Sequence, residues 1–162
     1  MATPQLQIRS AVAADLPTIW QMILDLAAYE KLSHAVEGSA ELLGEHLFGE
    51  HPYAGVILAE LEGKAVGLGL FFYNYSTFLT RPGIYLEDLY VQPDYRRRGI
   101  GKALLQYLAK LAVEKGCGRL EWTVLDWNAS AIAFYESLGA TVLPDWRICR
   151  VHSSNLTKLA NL

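Results

Sequence analysis

Apolar residues recur along this chain at two spacings. Leu16, Ile19, Trp20, Ile23 and Leu24 repeat every three or four positions, which predicts an amphipathic helix over 15–29 with Asp15 as its N-cap. Ser39 opens a second, shorter helix carrying Leu42, Leu43 and Leu47. A first strand is expected at 6–9. Residues 54–61 and 64–73 read as strands around the hairpin turn Glu62-Gly63. A polar loop, NYSTFLTRPG, leads to the strand IYLEDLYV at 84–91, which Gln92-Pro93-Asp94 terminates because proline cannot continue a ladder. Ile100, Leu104, Leu105, Leu108 and Leu111 then mark the core face of a helix that Gly116 and Gly118 close. A strand at 119–125, a short helix from 129 to Gly139 and a last strand at 147–151 complete the pattern. The tail SSNLTKLANL reads as one weak helical turn or a frayed end.

This order gives an α/β or α+β sheet of about six strands, with helices on its faces. The strand–loop–helix–strand unit at its centre is a crossover, so that pair of strands is parallel. A chain of 162 residues, with no repeat or linker, suits one domain over 1–162.

Composition narrows the partners. The chain is 52% hydrophobic with a formal net charge of −3, which argues against a nucleic-acid binder. No apolar stretch approaches membrane-spanning length, and MATPQLQIRS lacks the basic start and apolar run of a secretory leader. Two isolated cysteines, Cys117 and Cys149, make no disulfide framework, so a reduced, cytoplasmic setting is expected. The histidines His34, His46, His51 and His152 show no metal-ligand spacing, and no metal is expected.

The stretch DYRRRGIGKALLQYL, 94–108, carries the clearest chemistry. Gly99 and Gly101 let the backbone turn tightly at a helix N-terminus, whose unpaired N–H groups favour an anion. Arg96, Arg97, Arg98 and Lys102 surround them with positive charge. The glycines could instead serve only a tight turn and the arginines be solvated, but cations on both sides favour phosphate. A P-loop fails, since Arg96 stands where its first glycine belongs and Ala103 follows Lys102. A dinucleotide fingerprint fails at Leu104, where its third glycine belongs. What fits is R-x-x-G-x-G, met by Arg96, Gly99 and Gly101.

That motif, after IYLEDLYV and before an amphipathic helix, resembles the acetyl-CoA pyrophosphate loop of the GNAT superfamily of N-acetyltransferases. YEKLS (29–33), YST (75–77), VLDWN (124–128) and FYESLGA (134–140) resemble its diamine acetyltransferase branch, on the thialysine-acetylating side. The resemblance covers the chain from Ile8 to about Val151. It implies a mixed, mostly antiparallel twisted sheet of about six to seven strands, flanked by about four helices, with one parallel βαβ unit around the acetyl-CoA loop. It also implies a homodimer, often with exchanged C-terminal elements.

The reaction needs a base for the ammonium, donors for the oxyanion and an acid for the departing thiolate. Glu87 and Asp88 stand mid-strand among apolar residues, where a carboxylate is costly unless paired or functional. Ion pairs with nearby arginines would be the structural explanation; the resemblance makes Glu87 the base. Tyr135 could by spacing be a core aromatic beside Phe134, and by resemblance it is the general acid. A phenol, with a reference pKa of about 10, stays protonated and available at neutral pH. Acetyl-CoA contacts are implied for Leu89, Tyr90 and Val91, for Arg96, Arg97, Arg98, Gly99, Ile100, Gly101 and Lys102, and for Asn128, Ser130, Ala131 and Tyr135. Asn128 could equally cap the helix that follows it. Amine contacts are expected from Tyr29, Glu30, Glu87, Asp88, Glu121, Trp122 and Thr123.

A ping-pong route would need an activated cysteine; Cys117 follows a helix end, where the dipole disfavours a thiolate, and Cys149 falls in the expected last strand, so direct transfer in a ternary complex is expected. Ser76-Thr77-Phe78 lacks the acid and tryptophan that polyamine enzymes carry before this strand, which favours thialysine, lysine, ornithine or a short diamine over spermidine or spermine. The other readings are a protein lysine or N-terminal acetyltransferase and a silent acyl-CoA-binding regulatory module.

Overall fold

The computed structural model describes residues 5–162 and forms two compact units, Met1–Thr123 and Val124–Leu162. The first four residues, part of the stretch read for a leader, lie outside the described residues.

The first unit holds a five-stranded sheet in the order β1-β2-β3-β4-β5. Its strands are β1 (Leu6–Ser10), β2 (Gly55–Leu61), β3 (Lys64–Ser76), β4 (Arg81–Val91) and β5 (Leu120–Glu121). The first four pair antiparallel and β4–β5 pair parallel. Helices α1 (Leu16–Tyr29) and α2 (Ala40–Phe48) cover one face, where Ile19, Met22 and Leu47 pack with Val56, Leu58, Leu68, Leu70 and Tyr90. On the other face lies α3 (Ile100–Glu114), where Leu104 and Leu108 are fully buried.

The mixed, mostly antiparallel sheet with one parallel pair is the expected architecture, but among the described residues it has five strands rather than six or seven. The strand expected over 119–125 is reduced to Leu120–Glu121, paired with Ile84 and Tyr85. Its ladder stops just before β4 bulges and bends, and a bent strand cannot keep a straight parallel neighbour. The strand expected at 147–151 does not form: Ile148 and Val151 have strand-like character, yet their stretch is irregular and exposed. A strand needs a ladder partner, and none pairs with this one among the described residues.

Two other differences are local. The loop NYSTFLTRPG is mostly strand: Asn74, Tyr75 and Ser76 pair with Gly83, Pro82 and Arg81, leaving a turn at 77–80. Asp15 does not cap α1. Its carboxylate instead accepts the Val12 N–H at 2.8 Å and both terminal nitrogens of Arg9, which also bonds Glu60. That ties β1 to β2 and holds the Asp15 carboxyl below its usual range, through hydrogen bonds from Arg9. Ser39 does cap α2, accepting the Leu42 N–H.

The second unit contains α4 (Ala129–Ser137) and α5 (Ser153–Ala160). The tail is therefore a helix of 8 residues, more than the single turn expected. None of the residues in this unit is buried, although it carries Trp146, Ile148, Leu156 and Leu159.

Candidate active site

The loop 92–99 and α3 build an anion cradle in the first unit. Pro93–Tyr95 form a short 3-10 turn that reverses the chain after β4. Arg97 and Gly99 then adopt positive φ, 60° and 78°, which turns the backbone into α3. At Gly99 a Cβ would meet nothing within 4 Å, so the glycine serves the left-handed conformation and not a close contact. The first helical bond runs from the Ala103 N–H to the Gly99 carbonyl at 2.9 Å, and no side chain caps this end. The N–H groups of Ile100, Gly101 and Lys102 thus precede the helical ladder at the positive end of a 15-residue helix. Arg97, Arg98 and Lys102 are exposed around it, with the Arg98 guanidinium 5.4 Å from the Tyr95 ring centroid. These groups fit a pyrophosphate.

Arg96, placed by the sequence among the same cations, points elsewhere. Its Nε donates to the Val91 carbonyl at 2.9 Å. Its guanidinium carbon lies 4.6 Å from the Tyr29 ring centroid and 5.7 Å from that of Tyr90.

The acidic pair sits on a β-bulge. Asp88 lies opposite Leu70 and Leu86 opposite Phe71, so Glu87 is an extra residue with no cross-strand partner. The bulge reverses the phase of the strand. Leu86 packs beside Gly69 and Ile57 on the α3 face, and Val91 meets Gly67 beside Ile100 on the same face, five positions on. Tyr90, four positions after Leu86, lies on the opposite, α1 face. Asp88, across from Leu70, shares the α1 face with it. Strict alternation would have kept Leu86, Asp88 and Tyr90 on one face.

Among the described residues neither Glu87 nor Asp88 makes an ion pair, so the arginine pairing that could have explained them is not there. Glu87 is exposed and Asp88 half-buried. Burial, with Glu87 and Glu30 nearby, pushes the Asp88 carboxyl up to about 6. Burial also raises Glu30, which follows the last residue of α1. Glu30 and Glu87 thus both bear on the Asp88 carboxylate, and a cation beside it would relieve that repulsion.

Glu121, expected to meet the amine, is engaged within the sheet. Its Oε2 accepts Asn74 Nδ2 at 2.9 Å and Arg119 Nε at 2.7 Å, tying β5 to β3. Trp122 is half-buried and Thr123 exposed. The Ser76–Phe78 segment lies at the β3–β4 turn, and Phe78 is fully exposed. From Arg81 to Glu87 runs about 20 Å of strand, so this segment does not line the acidic pair.

In the second unit, Asn128 caps α4: its Oδ1 accepts the Ala131 N–H at 3.3 Å and the Ser130 hydroxyl at 3.2 Å. Tyr135 is half-buried, its ring 5.4 Å from that of Phe134. Cys117 is half-buried and Cys149 exposed, both as free thiols. The sequence missed the bulge. Its signal is the slip of apolar positions from Ile84 and Leu86 to Leu89 and Val91, which a regular strand would not show.

Residues 20–140 match the Acetyltransferase (GNAT) family. The thialysine N-epsilon-acetyltransferase of Sus scrofa is 40% identical over 94% of this chain and 96% of its own length. The L-ornithine N5-acetyltransferase of Arabidopsis thaliana is 32% identical over 96% of this chain and 88% of its own. Among solved structures, an integron cassette protein of V. cholerae superposes with a TM-score of 0.80 at 27% identity, over 97% of this chain and 98% of that one. With the motif loop and these relatives in agreement, the chain belongs to the GNAT family and is an acetyl-transferring enzyme.

Proposed function

We propose that the enzyme moves the acetyl group of acetyl-CoA directly onto a primary amine of a small cationic substrate, within a ternary complex. The acceptor is an amino acid of the thialysine, lysine or ornithine type, or a short diamine. The observation that carries this reading is the bulge at Glu87. Among the described residues it leaves carboxylates without ion-pair partners on a strand that runs straight into an uncapped, cation-ringed helix N-terminus. The names of the porcine and plant relatives support the amine class.

The cradle of Gly99, Ile100, Gly101 and Lys102 would hold the pyrophosphate, with Arg97 and Arg98 beside it. Acetyl-CoA bound there would supply an activated thioester. Glu87 takes the proton of the ammonium, directly or through one water, and Asp88 and Glu30 hold the cation. N–H groups near Leu89–Val91 stabilise the developing oxyanion. Tyr135 donates its phenolic proton to the departing thiolate, while Asn128, Ser130 and Ala131 contribute to the cofactor side.

The family match runs across the boundary at Thr123, which supports one functional domain built from both units. A homodimer is the proposed assembly, with a second copy of this chain covering Trp146, Ile148, Leu156 and Leu159. No helix of the described residues is long and apolar enough to cross a membrane, and a cytoplasmic location is proposed for an enzyme with two free thiols.

A longer polyamine is the second reading, because the segment that argued against it lies about 20 Å of strand from Glu87. The deciding experiment is acetyl-CoA turnover on thialysine, lysine, ornithine, a short diamine and spermidine. Turnover on the amino acids or the diamine, exceeding that on spermidine, is expected. CoA binding without turnover on any small amine would sink the proposal.

A further inference from the structure

Arg96 is the arginine of the R-x-x-G-x-G motif, yet its environment is aromatic and backbone, not open like that of its neighbours. It is half-buried where Arg97 and Arg98 are exposed. Its Nε is held by the Val91 carbonyl at the end of β4. One face of its guanidinium lies against Tyr29, the last residue of α1, and the ring of Tyr90 is also within reach. Arg96 therefore joins the end of β4 to the end of α1. The residue after α1 is Glu30, and Lys31 turns the chain away with a φ of 62°. The direction of Glu30 thus depends on where the last turn of α1 is held.

We propose that Arg96 is a positioning residue for the amine site: by stacking on Tyr29 it fixes the end of α1 so that Glu30 stands with Glu87 and Asp88, and it is not a phosphate ligand. The phosphate cradle has Arg97, Arg98, Lys102 and its own N–H groups without it. One side chain in the cofactor loop thereby sets recognition of the other substrate. This rests on the proposed amine site, and its test separates the two.

CoA affinity, measured by calorimetry, needs no amine and asks only whether Arg96 holds phosphate. In Arg96→Gln the Kd for CoA is expected within about threefold of the parent, while the KM for the best amine rises about tenfold, the range of a partly desolvated cation–π contact. Arg96→Lys keeps the charge but loses the planar stack and the Nε bond, and should show the same split. Tyr29→Leu should raise the amine KM similarly, and the double variant Tyr29→Leu/Arg96→Gln should be no worse than either single one, because both remove one contact.

Three results would overturn the proposal: CoA affinity lost in Arg96→Gln and restored in Arg96→Lys, Arg96→Lys with the amine KM unchanged, or multiplicative effects in the double variant. If Arg96→Gln does not fold, Arg96→Lys decides by the same criteria. If the parent turns over no small amine, the amine reading fails by itself, and the calorimetric comparison still decides whether Arg96 binds phosphate.

Discussion

Burial and two neighbouring carboxylates push Asp88 up to about 6, so its charge changes close to neutral pH. A cationic amine is attracted by the ionised form, so kcat/KM for the amine should fall as pH drops through about 6, and this limb should be absent in Asp88→Asn. The same shift affects stability with a definite sign. The folded Asp88 holds its proton to higher pH than the unfolded one, so stability falls as pH rises from the ordinary carboxyl range through about 6. Asp88→Asn should therefore raise the melting temperature relative to the parent at pH 8, with the difference vanishing below pH ~4. At Tyr135, Tyr135→Phe should lower kcat on the order of a hundredfold with little change in the KM for acetyl-CoA, read from steady-state kinetics. The sequence placed these residues by type and neighbourhood. It could not see that Glu121 is engaged by Asn74 and Arg119, or that Arg96 lies on two tyrosines, because both depend on residues distant in the chain.

Elements with strong local signals matched their expected bounds closely. α1, α2 and α3 carry regular apolar spacing, and Ser39 and Gly116 punctuate their ends as expected. Strands were less legible because a strand exists only by pairing. Ser76 and Arg81 look like loop residues, yet they pair with each other, while 147–151 looks like a strand and pairs with none of the described residues. The turn into α3 depends on the left-handed conformation of Gly99. Gly99→Ala adds no clash, so its cost is conformational, about 1–2 kcal/mol by chemical denaturation, with weaker CoA binding because the cradle is displaced.

For the whole molecule, the sheet of the first unit buries the apolar residues of β2, β3, α1 and α3, which periodicity had marked. The second unit was the least legible. Its residues look like core, but none is buried within this chain. A pattern of apolar residues says that something must cover them, and it carries no mark of whether the cover is this chain or another. If a second copy supplies it, sedimentation should give a dimer at micromolar concentration. Trp146→Asp and Leu156→Asp should shift that equilibrium toward monomer, by placing a charge where apolar contact is needed. A parent that sediments as a monomer would dismiss the assembly.

The bulge at Glu87 also limits how this enzyme can change. Since one surplus residue decides which way the remainder of β4 faces, deleting position 87 would exchange the surroundings of Leu89 and Tyr90, driving a phenol toward α3 and unseating the core against α1. Substitution at 87 leaves that count intact. Over generations, then, the chemistry at this spot is free to drift by replacement while the length of the strand is not, and any inactive descendant that still folds should keep a residue of some kind there.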